Sequence, residues 1–281
     1  MALGSGRLPG GQAPRATGLV SNLRLFFDGA ILSYVALFRW FRPAAYLASK
    51  VAGPLFQILF FTFLGMYATG RSSASFYVIG NAMQVAAVSG IYGVTMSVGG
   101  ERWEGTLPYL FGAPANRLVI FLGRAAMHVV DGMFGVVMGF AWGVLLLGLD
   151  LSKTDPWALA AAIIITTFST AGLGLLMGCL SLMTLNIMFV NNTVYFLLLI
   201  FSGANVPLAS LPGWMQAISW GMPLTRGIAA ARQIIQGASF HEVLPLLLGE
   251  ALVGLVYAGL GYAFFKWFEY QAKRRGTLES F

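Results

Sequence analysis

Charge is what this chain has least of. Only 10% of its 281 residues are charged and 58% are hydrophobic, where a soluble domain carries about 25% charge. That excludes a protein able to cover itself with polar surface and leaves a lipid bilayer as the solvent. Cysteine is almost missing. Cys179 stands alone in an apolar run, so no disulfide can form within the chain, and it reads as a small buried hydrophobe. The two histidines, His128 and His241, have no cysteine or carboxylate cluster of ligand spacing around them, so no metal site is expected. No Gly-Lys pair occurs anywhere, which excludes the G-x-x-x-x-G-K-[ST] loop that cradles nucleotide phosphates. No Gly-x-Ser-x-Gly nucleophile turn is present either. The chain is expected to bind no cofactor and to catalyse no reaction by itself.

What is abundant is glycine, with 35 residues, and phenylalanine, with 22. Small residues let helices approach closely in a membrane. A spanning helix needs about 20 largely apolar residues, and six stretches qualify: 48–68, 76–99, 124–149, 157–182, 189–205 and 243–268. The expected fold is an all-α membrane protein with six transmembrane helices across residues 44–270. Residues 1–20 read as a disordered tail and 271–281 as a second tail. With the N-terminus inside, 13 of the 17 basic residues fall on the cytoplasmic side, leaving Arg71, Lys153, Arg226 and Arg232 outside. The positive-inside rule then places both termini in the cytoplasm. The net charge of +7 reports orientation, with Lys273, Arg274 and Arg275 meeting anionic lipid, and no nucleic acid is expected as a partner.

Two segments outside the spans are unusual. Residues 21–43 place Arg24, Asp28, Arg39 and Arg42 on one narrow side of a helix that is otherwise apolar and aromatic. This fits an amphipathic helix lying in the interface, with a seventh span as the rival reading. Between spans five and six, residues 203–240 are apolar but broken by Pro207, Pro212 and Pro223. Two short re-entrant helices are expected there, around Trp214 and Ile228, with a plain surface loop as the alternative.

The hairpin at 100–117 is charged, carries two prolines and separates two apolar runs. Thr106 is placed to cap a helix of one or two turns, Leu107 to Phe111, with Pro108 in its first turn and Gly112 and Pro114 ending it. Leu107, Tyr109, Leu110 and Phe111 would then face water, an arrangement suited to docking in a groove of a soluble partner. Glu101, Arg102 and Glu104 would be its polar anchors.

Six spans, an interfacial helix, a hairpin reading Glu101-Arg102, Gly105-Thr106-Leu107 and Ala113-Pro114, and a hydrophobic segment before the last span together resemble the membrane subunit of type-2 ABC exporters. The resemblance covers nearly the whole chain from about residue 20. It implies that the hairpin is a coupling helix seated on a separate ATPase through Glu101, Arg102, Glu104, Gly105, Thr106, Leu107, Pro108, Tyr109 and Leu110. Pro108 stands where the family often has an acidic residue. It also implies two ATPase copies supplying ATP and Mg, a second permease copy as homodimer or heterodimer, and a multi-pass place in a bacterial plasma (inner) membrane. The cargo would be an amphipathic drug, a lipid or a lipid-linked glycan.

Polar residues within spans are candidates for the substrate path. These are Asn81, Gln84 and Ser89 in span two, and Asn191 and Asn192 with Phe196 and Phe201 in span five, the spans that line the path in that family. Ordinary hydrogen bonding between helices is the competing account. Four intramembrane charges remain. Arg124, His128 and Asp131 stack on one face of span three. They would be either a proton relay or a neutralised cluster in which Arg124 or His128 pairs with Asp131. Glu250 stands alone in span six, as a gate or as an interhelical contact. An ion- or proton-coupled secondary transporter built on His128 and Asp131 is the alternative function, and a docking scaffold a third.

Overall fold

The computed structural model describes residues 19–40, 42–103, 105–106, 108–109, 116–182 and 186–275. Every regular element among them is helical. Helix α1, Leu19–Trp40, is followed by α2, Pro43–Thr69, with the break at Arg42 in extended conformation (ψ 140°) and Pro43 opening the new helix. Proline suits a first helical position because its missing N–H would have no partner there. Chain direction then reverses through a short 3-10 turn, Arg71–Ser73. The second span consists of α3, Ala74–Ala87, a π-helical stretch, Val88–Gly93, and α4, Val94–Trp103. The third is α5, Arg117–Leu147, closed by Gly148 in the left-handed region at φ 66°. The fourth is α6, Pro156–Ser181, whose first turn is capped by the Asp155 carboxyl accepting from the backbone N–H groups of Trp157 and Ala158.

Among the described residues, five helices are long and apolar enough to cross a membrane, the fifth of them α10, Phe240–Arg275. The remaining expected span is shorter. Helix α7, Ile187–Phe201, has 15 residues, about 22 Å at 1.5 Å per residue, and stops before the expected boundary at Asn205 because Gly203 turns the chain at φ 77°. Both short helices expected before the last span are present, as α8, Gly213–Gly221, and α9, Thr225–Ile235.

The second span is the centre of the bundle. Of its most apolar window 78% is buried, against 22% for α2 and for α10. It touches α2, α5 and α6, and α6 in turn makes the most extensive contact with α10. The glycine content explains how the second span, α6 and α10 pack so closely. Gly174 of α6 lies against the Gly90 carbonyl, and Gly172 against the Gly254 carbonyl of α10. A side chain at any of these positions would collide with backbone, which cannot rotate away. Among the described residues, α9 buries Ile228, Ala231 and Ile235 in the same core as Val78, Ala82, Val136 and Phe140. It is therefore embedded among the spans, where a surface loop would lie outside them. Helix α1 runs along the start of α5, with Gly29 against Ile120 and the Phe26 carbonyl against Gly123. Arg24 and Asp28 pair on its outer side at 3.7 Å, and Phe27, Ile31 and Val35 are exposed.

The two ends of the bundle are distinct. One, the hairpin end, holds α1, the exit of α4 and the last turns of α10. The other, the re-entrant end, holds α8 and α9.

Candidate functional site

Three features along the second span bear on function. The first is at its middle. The π-helical stretch at Val88–Gly93 loosens the usual backbone pattern, and neighbouring hydroxyls take up carbonyls: Thr170 donates to Ala86 at 3.4 Å and Thr95 to Gly174 at 3.2 Å. Wide turns of this kind recur at functional positions. Ser89, in the turn, donates to Asp131 of α5 and accepts from the Lys50 ammonium of α2 at 2.9 Å. Lys50 also pairs with Asp131, and the Tyr46 hydroxyl donates to the other Asp131 oxygen. The Lys50 and Asp131 side chains are 17% and 15% exposed, so this is a largely buried ion pair tying spans one, two and three together.

This arrangement corrects the expected neutralisation of Asp131 by Arg124 or His128. The partner is Lys50, which a first span beginning at 48 leaves on the cytoplasmic flank. Pro43 starts the helix five residues earlier and carries Lys50 about two turns into it. Arg124 and His128 do share a helical face with Asp131, but Arg124 donates to the Ser97 carbonyl at 2.7 Å and His128 packs against Gly93. Arg124 also lies within α5, since that helix begins at Arg117. Lys50 and Arg124, both used as flanking cations to orient the chain, thus lie within long apolar helices.

The second feature is the re-entrant end. Asn81 and Gln84 are fully buried. The Asn81 amide donates to Tyr77 O and to Asn205 Oδ1, both at 2.9 Å, and Gln84 Oε1 accepts from Ser202 at 3.1 Å. They hold the chain that leaves α7. Arg232 of α9 donates to the carbonyls of Phe76 at 3.0 Å and Ala204 at 3.2 Å, with its guanidinium 3.5 Å from the centre of the Phe76 ring. Glu250, fully buried, accepts from three backbone N–H groups at the start of α9: Leu224 at 2.6 Å, Arg226 at 3.1 Å and Gly227 at 3.2 Å. Leu224 is held at φ 80°, which an L-residue rarely adopts. Glu250 is therefore the cap of the re-entrant helix, placed where the helix dipole favours a carboxyl group. Glu250→Gln is expected to lower stability by about 1–3 kcal/mol, the scale of a hydrogen bond to a charged group. The check is thermal unfolding together with protease sensitivity of residues 213–240; wild-type behaviour in both would remove the capping role.

The third feature is the outer side of spans two and five. The Tyr92 hydroxyl donates to Asn192 at 2.6 Å, and the rings of Tyr92 and Tyr195 meet edge to face. Asn192 is exposed, as are Phe189 and Phe196, while Phe201 is buried. Asn191 is fully buried, with neither amide atom hydrogen-bonded. Of the seven residues read as path-lining, Asn192 and Phe196 are open, and the structure brings Asn192 to Tyr92. Asn81, Gln84, Ser89, Asn191 and Phe201 are enclosed between helices of this one chain. Tyr92 continues the face of span two that Asn81 and Gln84 share by spacing, whereas Tyr46 and Lys50 carry no such mark. Their signal is Pro43, which starts a helix that puts Tyr46 and Lys50 four apart on one face.

At the hairpin, α4 continues to Trp103, so Glu101 and Arg102 belong to its final turn. Gly105 turns at φ 66°, and Pro108 and Tyr109 are helical and exposed. Thr106 is half-buried. Glu104, Leu107, Leu110 and Phe111 lie outside the described residues.

The ABC-2 type transporter domain matches residues 29–235, from within α1 to the end of α9. This chain belongs to the ABC-2 type transporter family. The probable multidrug ABC transporter permease YbhR of Escherichia coli strain K12 is 26% identical over 202 residues, which are 68% of this chain and 52% of the relative. The same protein of Escherichia coli O157:H7 matches to the same extent. The chain thus spans about half the length of the curated relatives it matches. As a member of that family with several apolar helices it is a multi-pass membrane protein. The matched domain covers the ion-pair junction, the hairpin and both re-entrant helices, while α10 with Glu250 and Glu269 follows it.

Proposed function

We infer that this ABC-2 permease forms the membrane path of an ATP-driven exporter, with the hairpin seated on a separate ATPase in the cytoplasm and a second permease copy across the path. The observation that carries this reading is the continuity of the second span. It runs from the Asn81 and Arg232 contacts at the re-entrant end, past the ion-pair junction, to Trp103 at the entry of the hairpin, where Tyr109 is exposed. Force applied to the hairpin by closing ATPase subunits would move this central span directly, and the glycine contacts with α6 would pass the motion to the rest of the bundle. Nucleotide and Mg belong to the ATPase, and this chain supplies position and leverage.

An amphipathic cargo fits the outer side of spans two and five, where Asn192 and Tyr92 lie among exposed Phe189 and Phe196. The relatives' description as multidrug permeases points the same way. The basic residues remaining at the hairpin end favour both termini in the cytoplasm of a bacterial cell.

Crosslinking from a cysteine at Tyr109, in membranes that also contain the cognate ATPase, tests the reading. The expected product joins this chain to a P-loop ATPase, and Tyr109→Glu should abolish coupled ATP hydrolysis while leaving the unfolding temperature unchanged. Free labelling of position 109 with no ATPase in any preparation would sink it.

A further inference from the structure

Between the hairpin-end termini of α5 and α10 lies a cavity of about 300 Å³, lined by Asn116, Arg117, Leu118, Tyr262, Lys266 and Glu269. We propose that this cavity binds the headgroup of an anionic phospholipid. At its back, the Glu269 side chain, 9% exposed, pairs with Arg117 and lies 3.4 Å from the Lys266 ammonium. Among the described lining residues, Lys266 turns its charge outward, for its side chain is 55% exposed and its ammonium stands 5.8 Å from the Tyr262 ring centre.

The surroundings select a lipid over a soluble anion. Trp267 and Tyr270, both exposed, follow on the same helix, and such aromatics settle at headgroup level. Tyr262 in the cavity lining and Leu122, one turn beyond Leu118 on α5, are exposed and offer surface to acyl chains. Helix α10 continues to Arg275, so its sequence ends in Lys273, Arg274 and Arg275. A basic recess between spanning helices, extended by a basic helix end, is the arrangement that takes anionic headgroups. That the leaflet concerned is the cytoplasmic one rests on the orientation proposed above. The binding itself does not, and its test needs neither the ATPase nor transport, so either inference can fail alone.

The test is native mass spectrometry of the full chain after exchange into an equimolar mixture of phosphatidylglycerol and phosphatidylcholine. Phosphatidylglycerol should be retained in preference, and Lys266→Gln should reduce its retention about fivefold, the effect of one cation at a membrane surface. Lys266→Arg should restore it, and Lys153→Gln at the opposite end should leave it unchanged. Asn116→Asp is the second variant. It adds a negative charge at the cavity mouth with an equally suitable N-cap residue, so it should reduce retention without loss of stability. Equal retention of the two lipids, retention unaffected by both variants, or displacement by millimolar inorganic phosphate would each overturn the proposal.

Discussion

Asp131→Ala should be the most damaging single substitution in the bundle, lowering stability by about 3–5 kcal/mol, because it strands the Lys50 ammonium between spans without its partner. The loss extends to Ser89 and Tyr46, whose hydroxyls both donate to the same carboxylate. The pair as such is worth much less than either deletion indicates. Lys50→Met combined with Asp131→Leu removes both charges and keeps comparable volume, and it should recover most of the stability. Thermal unfolding of the two single variants and the double variant in detergent measures this as a double-mutant cycle. Additive losses would mean that Lys50 and Asp131 do not depend on one another. The same set separates structure from transport. A double variant that folds but no longer moves cargo would make the junction part of the moving mechanism.

Gly174→Leu should have an effect of the same order by a different route. A Cβ at Gly174 would overlap the Gly90 carbonyl and lie 2.9 Å from the Val94 Cβ. Overpacking a core ordinarily costs about 1–3 kcal/mol, because side chains can adjust. Here the obstacle is backbone in the central span, so α6 must move away from it and take the α10 contacts with it. Expression in membranes and the unfolding temperature should both fall sharply. Gly53→Leu and Gly259→Leu are the controls, since an added Cβ at either meets nothing within 4 Å, and both should behave like the wild type. A Gly174→Leu protein as stable as these controls would show that the close approach of spans two and four is dispensable.

The ion-pair junction and the glycine contacts show where sequence reading ended. Span existence was legible because burial in lipid demands long apolar runs, and five such helices are present with a shorter sixth. Helix starts were less so. A hydropathy window begins where residues turn apolar, whereas α2 begins at Pro43 and α5 at Arg117, where the backbone can first turn helical. That difference of a few residues moved Lys50 and Arg124 from the flanks into the bundle and hid the partner of Asp131. The spacing of Arg124, His128 and Asp131 correctly gives a shared face, but periodicity within one helix says nothing about which neighbour that face meets.

Glu250 is a similar case. As a lone acid in an apolar run it read as a gate or a contact. Its role as the cap of α9 depends on a helix 23 to 26 residues away in sequence folding back against α10.

The solvent, the helical class, the apolar segments, the polar hairpin between spans two and three and the resemblance to ABC-2 permeases are therefore all legible in the order of residues. Each of these follows from composition, period or local motif, which are properties of residues near one another in the chain. Helix packing was needed to reveal that Lys50 neutralises Asp131, that Asn81 and Gln84 anchor the chain leaving α7, and that α9 is buried and capped by Glu250. It also placed Arg117, Lys266 and Glu269 around one cavity. These are pairings between residues 23 to 152 positions apart, and they are chosen by which helix faces meet when the glycine-lined backbones close together, a choice that no local pattern encodes.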